Sequence, residues 1–498
     1  MINIKIRLIN RHILIFILLF YSFLLLFLGL KTELSMGDEI HHFNLAKNIF
    51  YLKRRPAYDP LYGDPALRMP GAMYYFETPL WHIILAGVWK ILDRISFKVA
   101  QFYQIIYSFL LLFFTYLLGN KLYSENEGVY SVLIVATIPA VILFSVLFYL
   151  DIPLTAFVVL CFLLFINKQF FWAGIIAGLG YLIKINFLFL LPSFIFLILF
   201  FKFGETEKTI FREKIKRIFI FIFPNILLML PDLQFRYTHF PSIFFIKDPL
   251  IGPHAEILYQ NPPVICYTNS TILNFFDIIK YFGIVLIGLF LYFLLKRFNE
   301  YKDLFLLIPI ITYCCMFLFI FKKGLDLRYL LPIIPFLAIL SSKSLIYLKK
   351  RSIKIFILII ITCVVQFIAT FIFIYNHRRI PQGVKEAFQY VINYIPQDKF
   401  IMYPEDNITE YTGRKMQWGR FQYMPYLFWQ ANEKEAKNIL LNINKTEYIM
   451  IKKTRIYDDT KIRHKGGYPK SFIEKLPNFS FLKLIFDNKE ISIWKVEE

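Results

Sequence analysis

Charge is scarce along this chain. Asp, Glu, Lys and Arg make up 18% of its 498 residues, where a soluble domain carries about 25%. Hydrophobic residues make up 57%, aromatics 19%, and mean hydropathy is +0.54. The deficit excludes an ordinary soluble fold and points to a polytopic membrane protein. Carboxylates are scarcer than cations, 35 against 56, for a formal net charge of +21. Because Lys and Arg gather in short loops between apolar runs, where positive charge sets the cytoplasmic side, membrane orientation accounts for the basicity without nucleic acid. Cysteine is rare too, and Cys161, Cys266, Cys314, Cys315 and Cys363 show no metal or redox spacing. Glycine nowhere forms the phosphate cradle of a nucleotide-binding loop. No small-residue cleavage pattern follows the basic start (Lys5, Arg7, Arg11) and apolar residues 13–30, so that stretch reads as an uncleaved first span.

What the chain has in plenty is apolar runs, and about thirteen spans are expected. The runs fall near residues 79–95, 101–119, 127–150, 154–167, 171–183, 187–201, 217–231, 275–295, 303–321, 328–345 and 354–375. Residues 127–150 are interrupted by Pro139, and breaking them there into two short helices makes the basic loops at 202–217, 296–297 and 349–351 cytoplasmic together with the N-terminus. The same count places loops 31–78 and 232–274 and the segment after 377 outside. That last segment is polar, with helix-like VKEAFQYVINYI and EKEAKNILLNI and strand-like KFIMYP, TEYIMIKK, LKLIF and ISIWKV. The expected fold class is an all-α membrane domain, 1–376, followed by a small soluble α/β domain, 377–498, with an accessory or recognition role.

Ionisable residues at membrane depth are costly and usually functional. On this topology Asp38, Glu39, Glu77, Asp151, Lys184, Lys322, Lys323, Asp326 and Arg328 gather at the external face. Carboxylates there can deprotonate a hydroxyl. Lys184, Lys322, Lys323 and Arg328 can hold a phosphate, Arg as a fork and Lys as a point charge. The plainer reading is a set of interfacial anchors that pair with one another. A transporter or flippase of lipid-linked anions would want the same residues, but such proteins tend towards repeated halves and midplane sites, and neither is evident here.

Five pieces, in order, carry a family resemblance: GDEIHHFNLAKNI, YYFETPLWHIILAGVWKI, FYLDIPLTAFVVLCFLLF, AGIIAGLGYLIKINFLFLLP and LDLRYLLPIIPFLAIL. Together they resemble the GT-C membrane glycosyltransferases, similar to the protein O-mannosyltransferases and the aminoarabinose transferases. DEIHH, AYDP and FYLD also resemble the alpha-1,2-glucosyltransferase of lipid-linked oligosaccharide assembly, which the polar C-terminal segment fits less well.

The resemblance implies transfer of a sugar from a polyprenyl-phosphate donor, dolichyl or undecaprenyl, to a hydroxyl of a lipid, glycan or protein acceptor. Asp38 would be the general base, Glu39 and Asp151 would orient acceptor or donor, and Lys184 and Arg328 would contact the donor phosphate. The sequence departs from the aminoarabinose-transferase pattern at Glu77-Thr78, where that family has Glu-Lys, and a metal-binding His is matched only loosely by His254. No cofactor is expected, with Glu77 and His254 the one place left open for a divalent metal. A prokaryotic cell membrane is the expected location, the endoplasmic reticulum the alternative.

Overall fold

The computed structural model describes residues 2–34, 37–52, 78–201, 211–239, 275–298, 300–320, 327–403, 407–416, 432–438, 440–441, 446–457 and 468–497. In chain order the principal helices are α1 (Ile2–Lys31), α2 (Gly37–Leu52), α3 (Leu80–Ile91), α4 (Phe97–Leu122), α5 (Glu125–Thr137), α6 (Pro139–Val146), α7 (Asp151–Ile166), α8 (Phe170–Ile183), α9 (Leu191–Phe200), α10 (Phe211–His239), α11 (Phe275–Phe282), α12 (Ile284–Lys296), α13 (Tyr301–Ile320), α14 (Ile334–Arg351), α15 (Ile353–His377) and α16 (Gln382–Tyr394). Among the described residues five helical stretches are long and apolar enough to cross a bilayer, or six when α5 and α6 count as one bent span. The contacts divide the chain into two units: 1–32, 77–235 and 271–377 form the first, and 33–76, 236–270 and 378–498 the second.

In the first unit, side-chain bonds fix which helix ends lie together. At one end Lys98, in the first turn of α4, donates to the carbonyls of Gly29 at 2.9 Å and Thr32 at 2.6 Å, and so caps the C-terminus of α1. At the other end Asn10 of α1 donates to Asn126 of α5 at 2.9 Å, and Arg11 approaches Glu125 at 4.0 Å. Thus α4 runs from the C-terminal end of α1 back to its N-terminal end, and α5 starts the return.

This corrects the expected span at 79–95. Its helix, α3, has 12 residues, about 18 Å at 1.5 Å per residue, too short to cross about 30 Å of hydrocarbon. The chain therefore leaves and re-enters this unit at the same end. The break at Pro139 is present, with a 68° bend between α5 and α6, because proline lacks the N–H and disfavours helix in the residue before it; Ile138 is extended, at ψ 124°. The two halves nevertheless make one passage. One crossing fewer at α3 and one fewer at Pro139 cancel, and Asp151 still lies at the C-terminal end of α1.

Helices α7 and α8 form a hairpin. Glycine sets how closely α8 packs: a Cβ on Gly174 would lie 2.1 Å from the Phe221 carbonyl oxygen of α10, and one on Gly180 would lie 2.4 Å from the Phe187 ring. The apolar centre is aromatic, with Phe162 stacked on Phe194 at 4.3 Å and edge-on to Phe336 at 4.8 Å.

The C-terminal part of the second unit is the α/β domain expected from its patterning. Its strands are β1 (Phe400–Met402), β2 (Lys415–Met416), β3 (Tyr448–Lys452), β4 (Ile456–Tyr457), β5 (Tyr468–Pro469), β6 (Leu482–Asp487) and β7 (Ile491–Val496). Five form one sheet in the order β2-β1-β3-β7-β6, parallel from β2 to β3 and antiparallel beyond. On one face Val384, Phe388 and Val391 of α16 pack against Ile401, Met450 and Ile493; on the other Ala436, Leu440, Leu476 and Phe481 cover Met402, Ile449 and Ile451. Both faces are buried, so β3 reads as a continuous apolar run rather than an alternating one.

Candidate active site

Three of the expected residues meet in the first unit. Asp151 opens α7, Lys184 follows the last residue of α8, and Arg328 lies in a 3-10 turn, Leu327–Ile333, ahead of α14. The backbone is irregular at each point. Lys184 is extended (φ −154°, ψ 128°) between α8 and a 3-10 turn, Ile185–Leu190, and residues 147–150 lie between α6 and α7. Non-helical backbone at membrane depth is tolerated where protein surrounds it, and here Gln104 of α4 donates to the carbonyls of Phe144 at 2.9 Å and Tyr149 at 3.0 Å.

The hairpin brings Lys184 Nζ to 2.6 Å from Asp151 Oδ1, with both side chains buried. Asp151 Oδ2 is buried and accepts no hydrogen bond among the described residues. One carboxylate oxygen is thus committed to the lysine, while the other keeps its accepting capacity. Arg328 lies 5.2 Å from the centre of the Tyr149 ring and 5.1 Å from that of Tyr329, and donates to the Tyr329 hydroxyl at 3.3 Å. Lys184 Nζ sits over the same Tyr329 ring at 4.7 Å. Tyr329 therefore faces both cations, and Tyr313 steadies its backbone by donating to its carbonyl at 2.7 Å. Each cation–π contact of this kind stabilises by about 0.5–2 kcal/mol. The ring faces hold the two cations in place beside the Asp151 carboxylate.

Glu39 lies in the second unit, in the first turn of α2, fully buried, with Arg378 Nη2 donating to its Oε2 at 2.5 Å. Beside it Glu33 accepts from the Ile380 backbone N–H at 2.7 Å and pairs with Lys385 at 2.8 Å. Asp38 is the second residue of α2; its side chain lies outside the described residues, as do Glu77, His254, Lys322, Lys323 and Asp326. Among the described residues no group of three His, Cys, Asp or Glu could hold a metal ion.

Three participants were not anticipated. Arg378 was readable as the basic pair that ends the last apolar run, and Tyr149 and Tyr329 as the aromatics beside the charges in FYLD and LRYLLP. Asp151–Lys184 is a pair separated by 33 residues, which only the α7–α8 turn brings together.

Residues 77–231, which contain α3 to α9, Asp151 and Lys184, match the family model of the dolichyl-phosphate-mannose-protein mannosyltransferases. The fold is that of the GT-C glycosyltransferases. The apo Archaeoglobus fulgidus oligosaccharyltransferase aligns at a TM-score of 0.64 and 15% identity, over 88% of this chain and 69% of that one. The oligosaccharyltransferase AglB from Archaeoglobus fulgidus, in complex with an inhibitory peptide and a dolichol-phosphate, aligns at 0.59 and 13%, over 88% and 69%. ArnT from Cupriavidus metallidurans bound to undecaprenyl phosphate aligns at 0.59 and 11%, over 96% and 97%. A search of curated proteins gave no match in sequence. The GT-C fold and the family match agree on a glycosyltransferase and bear out the expected fold class and the expectation of a membrane enzyme.

Proposed function

We propose that this GT-C chain moves a sugar from a polyprenyl-phosphate donor to a hydroxyl of a lipid, glycan or protein acceptor on the external face of a cell membrane. The observation that carries the reading is the buried Asp151–Lys184 pair with Arg328 beside it, two cations and a carboxylate gathered at one end of the membrane unit. Two structural neighbours of the same fold were solved with polyprenyl phosphates bound. In the reaction the acceptor oxygen bonds to the anomeric carbon, the bond from that carbon to the phosphate oxygen breaks, and polyprenyl phosphate leaves. Asp38 takes the acceptor proton. Lys184 and Arg328 stabilise the charge that develops on the departing phosphate, a use of preorganised cations that contributes most where water is excluded.

Purified protein incubated with polyprenyl-phosphate sugars should convert them to free polyprenyl phosphate and a glycosylated acceptor. A chain that moves the intact lipid across vesicles but never cleaves it would be a flippase instead.

Arg328→Ala is expected to reduce transfer roughly 10- to 100-fold, the effect of losing one charge-assisted contact, with thermal stability close to wild type. The arginine packs on the Tyr149 and Tyr329 rings, and the expectation is that its loss is felt in the rate more than in the melting temperature. A large drop in melting temperature with unchanged KM for the donor would make Arg328 a structural residue.

Cysteine labelling from outside intact cells should reach positions in 31–78, in 232–274 and after 377, because the Lys and Arg clusters count out with those segments external. Labelling of the C-terminal segment only after permeabilisation would overturn this orientation.

A further inference from the structure

The end of the membrane unit opposite Asp151 carries a polar cavity of about 260 Å³ that sugar transfer does not use. It lies where the α4–α5 corner, the link between α12 and α13, and α14 converge. Its floor is a closed network: Lys343, 6% exposed, pairs with Asp303 at 2.7 Å and Glu300 at 2.9 Å, and Tyr123 donates to Asp303 at 2.6 Å. The remaining cations have no such partners. Among the described residues no carboxylate pairs with Arg297, Lys302 or Lys350, and Arg297 Nε is buried without a hydrogen-bond acceptor. The Arg297 guanidinium is held in place over the Tyr347 ring at 4.7 Å.

Counting Glu127, which accepts the Ser124 hydroxyl, four cations stand against three carboxylates, so one bound monoanion brings the cavity to neutrality. Leu294, Leu295 and Phe298, within three residues of Arg297 in the chain, are exposed. A cavity with cations inside and exposed apolar side chains on the same stretch of chain suits a phosphodiester that carries its own acyl chains. Basic pockets between helices near a membrane surface bind lipid headgroups in this way, with Arg forming the forked contact.

We propose that this cavity is a binding site for the phosphate ester of an anionic phospholipid, separate from the transfer site. The probe is phosphatidylglycerol, titrated into the full-length purified protein and counted by native mass spectrometry, with phosphatidylcholine and glycerol phosphate as parallel arms. One phosphatidylglycerol is expected to be retained in preference to phosphatidylcholine. R297Q/K350Q should weaken that retention roughly tenfold or more, since each charge-assisted contact contributes about that factor. K216Q/K354Q removes two exposed cations from the same end outside the cavity and should change nothing. Lys350→Gln alone, a surface substitution, gives the same direction of change should the double variant misfold. Equal retention by R297Q/K350Q and wild type, or equal retention of the two lipids, would overturn the proposal. Saturation by glycerol phosphate with displacement of phosphatidylglycerol would keep the phosphate chemistry and replace the lipid by a soluble ester.

Discussion

Asp38→Asn is expected to slow sugar transfer by about 100- to 10,000-fold, the range of a general base removed from a transition state, while the protein still inserts and still binds the polyprenyl-phosphate donor. The substitution keeps the side chain's shape and removes only its capacity to accept a proton. Asp38 is the second residue of α2, and the proposed reaction assigns it the acceptor proton. The reading is tested by turnover of purified Asp38→Asn protein with a polyprenyl-phosphate sugar. Transfer at a near wild-type rate would remove Asp38 from the mechanism and favour the flippase.

Glu39→Ala is expected to act differently, by unfolding. The resemblance implies an orienting role for this carboxylate, but in the structure Glu39 and Arg378 are both buried, with the guanidinium 2.5 Å from the carboxylate. Removing one member of a buried pair leaves an uncompensated charge and costs about 3–5 kcal/mol, a large part of the 5–15 kcal/mol that holds a typical domain folded. Arg378→Ala should cost as much, and replacing both by apolar side chains of similar volume should recover most of the loss. Thermal melts of the purified variants decide between the two roles. If Glu39→Ala melts like wild type yet loses more than 100-fold in rate, the carboxylate serves the reacting groups and the ion pair is incidental.

The membrane part was legible wherever burial is dictated by composition. The run expected at 354–375 is α15, Ile353–His377, and the run expected at 101–119 lies inside α4. In the soluble part, LKLIF and ISIWKV are the antiparallel β6 and β7. What failed at 79–95 is instructive, because α3 is as apolar as a span, and only its 12-residue length and the Lys98 cap on α1 reveal that it stays at one end. Helix α2 was hidden for the opposite reason. Polar residues Glu39, His42, Asn44 and Asn48 are buried along it beside Ile40, Phe43 and Leu45, so no simple apolar stripe marks it. The charged residues themselves were legible at Asp151, Lys184 and Arg328, since charge in an apolar run is conspicuous. Their partners were not, because pairing across 33 or 339 residues is decided by packing.

The depth of the Asp151–Lys184 pair has an electrical consequence. Gln104, which holds the backbone beside Asp151, lies seven residues into α4, about 10 Å below that helix's first turn. At such a depth the effective dielectric is far below that of water, and a pair of charges 4 Å apart interacts by about 4 kcal/mol at a permittivity near 20 against about 1 kcal/mol in bulk solvent. Mobile ions screen over about 8 Å at physiological strength but only where they can go. In the proposed reaction, a donor phosphate beside this pair would feel the fixed charges, Arg328 above all, several times more strongly than at the surface and with little dependence on the salt outside.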